Sequence, residues 1–180
     1  MQDIIMGKEG VRLAPLSAGD LPLLAELHAD PAVNRFLSPE QGGWNLEQVS
    51  SFLDETLSDQ ERHGFSAFKV LGEDGAFLGW AGYSALEETS EIALRSCYSA
   101  EAIEETPDLA VKVGTRLIDW FFDNTYFSHI VLPVRTDDKD GRAIARALEF
   151  VYRESRRIGN MPCDLFQLLS PSMRSYVMSA

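Results

Sequence analysis

The chain has 180 residues, 45% hydrophobic and 24% charged, with a net charge of −12. That is enough for one domain, or one domain and a small extension, around a sizeable core. The acidic balance disfavours nucleic acid and anionic membrane surfaces as partners and is compatible with cationic ones such as amines, polyamines or basic peptides.

In chain order, Val11 to Leu16 alternates apolar and other residues and predicts a first strand. Ser17 or Asp20 can cap a short helix whose stripe is Leu21, Leu24, Ala25, Leu27 and His28. Asp30-Pro31 breaks it, and a helical turn over Ala32 to Leu37 precedes a loop from Ser38 to Asn45. Asn45 then opens a helix with Val49, Phe52, Leu53 and Leu57 on one face, closing at His63-Gly64. Phe65 to Leu71 and Phe77 to Leu86 read as a hairpin around Asp74-Gly75. The low bulk of Gly79 and Gly82 suggests a close backbone approach or a bulge.

The stretch Glu91 to Phe127 organises the rest. A strand, Glu91 to Tyr98, enters an acidic loop, Ser99 to Asp108, which opens an amphipathic helix from Leu109 to about Phe127. A helix N-terminus after a strand favours anions such as a pyrophosphate. The carboxylates of Glu101, Glu104, Glu105 and Asp108 oppose one. Gly114 in mid-helix reads either as a close contact or as tolerated. His129 to Val134 is a near-continuous apolar strand of the buried kind. Asp140 can cap a helix over Gly141 to Phe150. Val151 to Arg157 and Cys163 to Leu169 are the last strands, joined by a turn, and Ser170 to Ala180 is a tail.

The N-terminal MQDIIMGKEG lacks the basic start and apolar core of a signal peptide, and no apolar run approaches the roughly 20 residues of a membrane span. Two cysteines, Cys97 and Cys163, are too few for a disulfide framework, and no His/Cys pair has metal-ligand spacing. A cytoplasmic, metal-free protein is expected.

The order β–α–α–β–β–β–α–β–α–β–β, with VRLAPLSAGDLPLLAELHADPAVNRFL at its start, resembles the GNAT superfamily of acyl-CoA N-acyltransferases. The phrase Asp30-Pro31-Ala32-Val33-Asn34-Arg35-Phe36-Leu37 and the strand opening Ser90-Glu91 are similar to the branch holding ribosomal-protein and spermidine acetyltransferases. The resemblance covers about residues 11–169 of a single domain. It implies a mixed, mostly antiparallel α/β sheet of six or seven strands. Helices would cover both faces, and a V-shaped splay would lie between two central parallel strands, Glu91–Tyr98 and His129–Val134. It implies acetyl-CoA as cosubstrate and a small amine or basic peptide as acceptor, in a monomer or homodimer. Where the family carries a glycine-rich pyrophosphate loop, this chain has Glu104-Glu105-Thr106-Pro107-Asp108-Leu109-Ala110. A family Asn, followed three residues later by Ser, falls on Asp140 and Ala143. The family's helix-closing Leu-Gly-Phe falls on Phe150-Val151-Tyr152.

The resemblance makes Glu91 the candidate general base, accepting an amine proton through water, against the alternative of a surface strand residue. Tyr152 is a candidate general acid toward the thiolate or a packing residue; Tyr83 and Tyr98 are equal to it by type. Cys97, Tyr98, Ser99, Thr106, Asp108, Leu109, Ala110, Asp140 and Ala143 are the candidate cofactor contacts, through strand backbone and helix dipole. Cys97 itself reads as a buried structural cysteine. His28, His63 and His129 read as capping or packing. The basic set Arg135, Lys139, Arg142, Arg146, Arg153, Arg156 and Arg157 reads either as a seat for the CoA 3′-phosphate or as a solvated face. Because the loop is acidic, acetyl-CoA binding is expected to be weak. A binding or regulatory module on the same fold is the alternative function.

Overall fold

A computed structural model describes residues 4–5 and 10–179. Ala180, the end of the expected tail, lies outside the described residues. The chain packs as two compact units, one of residues 1–84 and 95–110, the other of residues 85–94 and 111–180.

In the first unit, β1 (Ile4–Ile5), β2 (Arg12–Pro15), β3 (Ala67–Leu71) and β4 (Phe77–Ala85) form an antiparallel series. A 3₁₀ turn over Ala18–Asp20 leads into α1 (Leu21–His28); α2 (Pro31–Asn34) and α3 (Leu46–His63) follow. Asp20 closes the turn by accepting from the Ser17 N–H at 2.8 Å, and its carboxylate also takes Lys69 Nζ at 3.0 Å. Asn45 and Gln48 form the capping box that opens α3, and Gly64 in the left-handed region closes it, as the sequence predicts. Leu16, Leu24, Leu27, Val49, Leu53 and Trp80 are the core of this unit.

The hairpin from β3 to β4 carries the irregularity expected at its glycines. Val70 pairs with Gly79 and Leu71 with Phe77, so Leu78 is the extra residue of a bulge. Gly79 has φ +148°, and a Cβ there would collide with the Cys97 carbonyl and come within 2.8 Å of the Tyr98 Cα. The Ser99 N–H in turn donates to the Leu78 carbonyl at 2.9 Å. Gly79→Ala is therefore expected to cost about 2–4 kcal/mol, the sum of a strained φ and a backbone clash. Chemical denaturation checks this; a loss under about 1 kcal/mol would show that the two strands part easily.

Strand β5 (Ile92–Tyr98) is shared, its first three residues belonging to the second unit. In that unit the strand order is β5, β6 (His129–Arg135), β8 (Met161–Leu169), β7 (Val151–Ile158). β5 and β6 are parallel, registered at Ala93↔Val131, while β6/β8 and β8/β7 are antiparallel. The expected mixed, mostly antiparallel α/β sheet with two parallel strands is the one present. Leu86, Ala93, Val131, Ile158, Met161, Cys163 and Leu165 pack together as the core of this unit.

Four boundaries differ from the sequence reading. The acidic loop contains a helix, α4 (Ala100–Glu105), because Ser99 caps it and Ala-Glu-Ala-Ile-Glu-Glu is a run of mostly strong helix formers. The central helix α5 stops at Asn124 rather than Phe127. The next helix, α6 (Lys139–Ala147), is capped by Asp138, whose Oδ1 accepts from the Gly141 N–H at 2.9 Å; Asp140 lies inside its first turn. The tail is a helix, α7 (Pro171–Ser179), opened by Ser170, whose Oγ accepts from the Met173 N–H. Gly114 meets the Leu148 side chain, so the close contact is the reading the packing supports.

Candidate active site

The candidate residues fall in both units. In the first unit, Cys97 is buried, and its thiol is pushed up to about 12 by desolvation, which makes it inert at neutral pH. Ser99 spends its Oγ on the Ala102 N–H at 3.1 Å. Thr106 donates its N–H to the Ala102 carbonyl and accepts the Leu109 N–H at 3.0 Å. Leu109 and Ala110 are buried at the start of α5. Glu101, Glu104, Glu105, Pro107 and Asp108 are exposed.

A pyrophosphate meets mixed conditions there. A helix start offers unpaired N–H groups and a positive dipole end. Here the Leu109 N–H is already taken, Pro107 has none, and exposed carboxylates surround the position.

In the second unit the helix cap lies two residues earlier than the sequence reading places it. The helix-opening carboxylate is Asp138, with Gly141 three residues on, rather than Asp140 with Ala143. Burial pushes the Asp138 carboxyl above its ordinary value. The helix-closing residue in the left-handed region is Glu149, at φ 67°, two residues before Val151. Asp140 and Ala143 sit exposed on α6. Tyr152 is 54% exposed; its hydroxyl is 2.9 Å from Ser155 Oγ, which donates to Asp164 at 2.7 Å, and its ring meets Phe166 edge-on.

Glu91 lies at the centre of a side-chain network. Arg153 grips it in a fork, with Nη1 to Oε2 at 2.7 Å and Nη2 to Oε1 at 2.9 Å, and Arg153 Nη1 also reaches Gln167 at 2.9 Å. His129 Nε2 bonds the same Oε2, and His129 Nδ1 lies 3.0 Å from Ser128 Oγ. The Arg153 guanidinium, aided by His129 and Thr89, holds the Glu91 carboxyl down at about 2.

The sequence reading names Glu91 as the candidate base, His129 as a capping or packing residue and Arg153 as one of a basic set; the network joins all three. The register explains the meeting. Ala93 pairs with Val131, so Glu91 and His129, each two residues earlier, face each other on one side of a parallel pair. That inference was open from sequence once the two strands were taken as parallel neighbours. The Arg153 contact was not, because it needs the register shift between Tyr152 and Glu154. In the basic set, Arg135 is held by Asp137, Arg142 by the Thr136 carbonyl, Arg156 by Glu154 and Arg157 by the Asn160 carbonyl.

Among the described residues no group of His, Cys, Asp and Glu is arranged to hold a metal, and no helix is long and apolar enough to cross a membrane.

The sheet is mixed, with one parallel pair, β5 and β6, and Glu91 immediately precedes the first of these strands. The family model described as the acetyltransferase (GNAT) domain matches residues 11–151, and the chain belongs to that family. No curated relative matches the sequence. Among solved structures, an acetyltransferase from Agrobacterium tumefaciens superposes with TM-score 0.77 at 18% identity, over 93% of this chain and 94% of that one. The spermidine N-acetyltransferase of Vibrio cholerae, solved with CoA and spermine, gives 0.72 at 13% identity, over 91% and 97%. The ribosomal-protein-S5-alanine acetyltransferase of Vibrio fischeri gives 0.69 at 15% identity, over 91% and 94%. At these identities the likeness is one of fold.

Proposed function

We propose that this protein is an N-acetyltransferase that moves an acetyl group from acetyl-CoA to an amine, either a small amine or the amino end of a basic peptide. The family match over residues 11–151 carries the reading. The net charge of −12 supports a cationic acceptor. The whole chain, with its core over about residues 11–169, works as one acyltransferase domain in the cytoplasm, as a monomer or homodimer.

In this reading residues 97–110 face the CoA pyrophosphate through backbone groups. The acceptor ammonium must lose a proton before its nitrogen can attack the thioester. A carboxylate held at about 2 is a weak acceptor for it. Glu91 therefore acts by fixing the tautomer and orientation of His129, and the imidazole takes the proton. Tyr152 is the proton donor to the leaving thiolate, from the exposed end of its chain to Ser155 and Asp164.

The test is acetyl transfer from acetyl-CoA to spermidine and to a lysine-rich peptide. Glu91→Gln and His129→Gln are each expected to lower turnover at least tenfold with the fold intact by circular dichroism. Tyr152→Phe is expected to lower it less. Wild-type turnover in the His129 variant would remove the imidazole from the mechanism. Absence of transfer to any amine by the unmodified protein would favour the alternative, a binding or regulatory module on this fold.

A further inference from the structure

We propose that Ser128, His129 and Glu91 form a hydroxyl–imidazole–carboxylate relay that makes Ser128 a nucleophile toward activated acyl esters, giving the protein an esterase activity. The polarity follows from hydrogen-bond bookkeeping. Glu91 is an ionised, acceptor-only carboxylate, so the neutral imidazole carries its proton on Nε2. Nδ1 is then the acceptor, and the Ser128 hydroxyl at 3.0 Å donates to it. A base oriented by an acid, with a hydroxyl on its other nitrogen, is the arrangement that activates serine. The two ring nitrogens have exchanged the roles they hold in the serine-protease triad. Geometry and roles define such a relay, not the order of its members in the chain.

The surroundings favour this use. Ser128 is exposed while Glu91 is mostly covered and His129 is half-buried between them, so the nucleophile is the most open of the three to solvent. The Arg153 fork fixes both carboxylate oxygens, its Nη1 sharing Oε2 with His129 Nε2. The Ser170 N–H donates to the Ser128 carbonyl at 2.7 Å, which ties the N-terminus of α7 beside Ser128. Tyr126 and Phe127, both exposed, immediately precede the serine and offer apolar surface to an aryl or short acyl group.

The step balances. Ser128 Oγ passes its proton to His129 Nδ1 as the Oγ–C bond forms. The bond from the carbonyl carbon to the leaving oxygen breaks, and His129 protonates that oxygen. Water then attacks the acyl-serine and gives its proton to His129; Oγ leaves and takes the proton back, and a carboxylic acid is released.

The relay shares His129 with the proposed amine deprotonation but needs neither CoA nor an amine, so either reading can fail alone. The experiment is hydrolysis of p-nitrophenyl acetate by the full chain, with fluorophosphonate labelling followed by peptide mass mapping. The expected result is one adduct on Ser128, and hydrolysis reduced at least 50-fold in Ser128→Ala and in His129→Gln. Glu91→Gln should retain some activity with a displaced pH profile. An adduct elsewhere, no adduct on protein that is folded by circular dichroism, or Ser128→Ala hydrolysing at the wild-type rate would each overturn the proposal. If hydrolysis is absent while amine acetylation is retained, this relay falls and the transferase reading stands.

Discussion

The Trp80→Phe protein is expected to unfold with about 2–4 kcal/mol less stability than the unmodified chain, a fall in Tm of roughly 5–15 °C. Trp80 is buried, and its indole N–H donates to His28 Nε2 at 3.0 Å. His28 is fully buried, so its other nitrogen must donate, and it does so to Asn34 Oδ1 at 2.7 Å. Asn34 Nδ2 and the Trp44 N–H both return to the His28 carbonyl at 2.7 Å, and the Trp44 ring stacks on the imidazole at 4.3 Å. One residue thus ties α1, α2, the loop before α3, and β4. Phenylalanine keeps most of the volume and strands Nε2 without a donor.

The same contact sets a pH dependence. Burial lowers the His28 pKa below its ordinary 6.5, so the folded state refuses a proton that the unfolded chain accepts. This contribution is complete above about pH 6.5 and is lost as pH falls from there toward the folded value. Urea midpoints measured between pH 7.5 and 5 should fall in the unmodified protein and fall less in His28→Gln. Equal slopes would show that another group governs the range. Glu91 works lower: its depressed carboxyl contributes stability that is whole above about 4.5 and fades toward 2.

The network also shows what was legible in advance. The stripe Leu21, Leu24, Ala25, Leu27 and His28 placed His28 on the inner face, and the phrase around Asp30-Pro31 placed the break beside it. Periodicity cannot show that a polar residue at such a position is a hub. That depends on Trp80 arriving from a strand 52 residues away. The elements between residues 11 and 98 were readable because caps, turns and alternation agree locally, whereas the two-residue strand Ile4–Ile5 carries no such signal. The acidic stretch misled because charge suggests a loop, whereas Ser99 and the Ala/Glu composition make a helix. The two-residue offset at Asp138 and Glu149 has a similar source. Asp137, Asp138 and Asp140 are all acceptable caps by type, and backbone geometry alone selects among them.

That acidic stretch carries the largest expected effect on ligand binding. Between Glu87 and Asp108 there are seven carboxylates and one guanidinium, a net −6 of the chain's −12. Glu104 and Glu105 are exposed at the end of α4, and Asp108 is exposed just before α5. A like-charge contact near a protein surface costs about 4 kcal/mol at 4 Å before salt screens it. The pull of an exposed helix N-terminus on an anion is about 0.3–1 kcal/mol. Where a carboxylate of this stretch approaches a pyrophosphate, repulsion exceeds the dipole. Acetyl-CoA is therefore expected to bind weakly to the unmodified protein. Glu104→Gln with Glu105→Gln should tighten binding about tenfold or more, and raised salt should tighten the unmodified protein more than the double variant. Replacing Pro107 and Asp108 with glycine should add to this, since it restores one N–H, removes a charge and frees the backbone before α5. Calorimetry at two salt concentrations decides the matter. Tight binding by the unmodified protein, indifferent to salt and to all four substitutions, would mean that these carboxylates point away from the ligand and that backbone donors alone hold it.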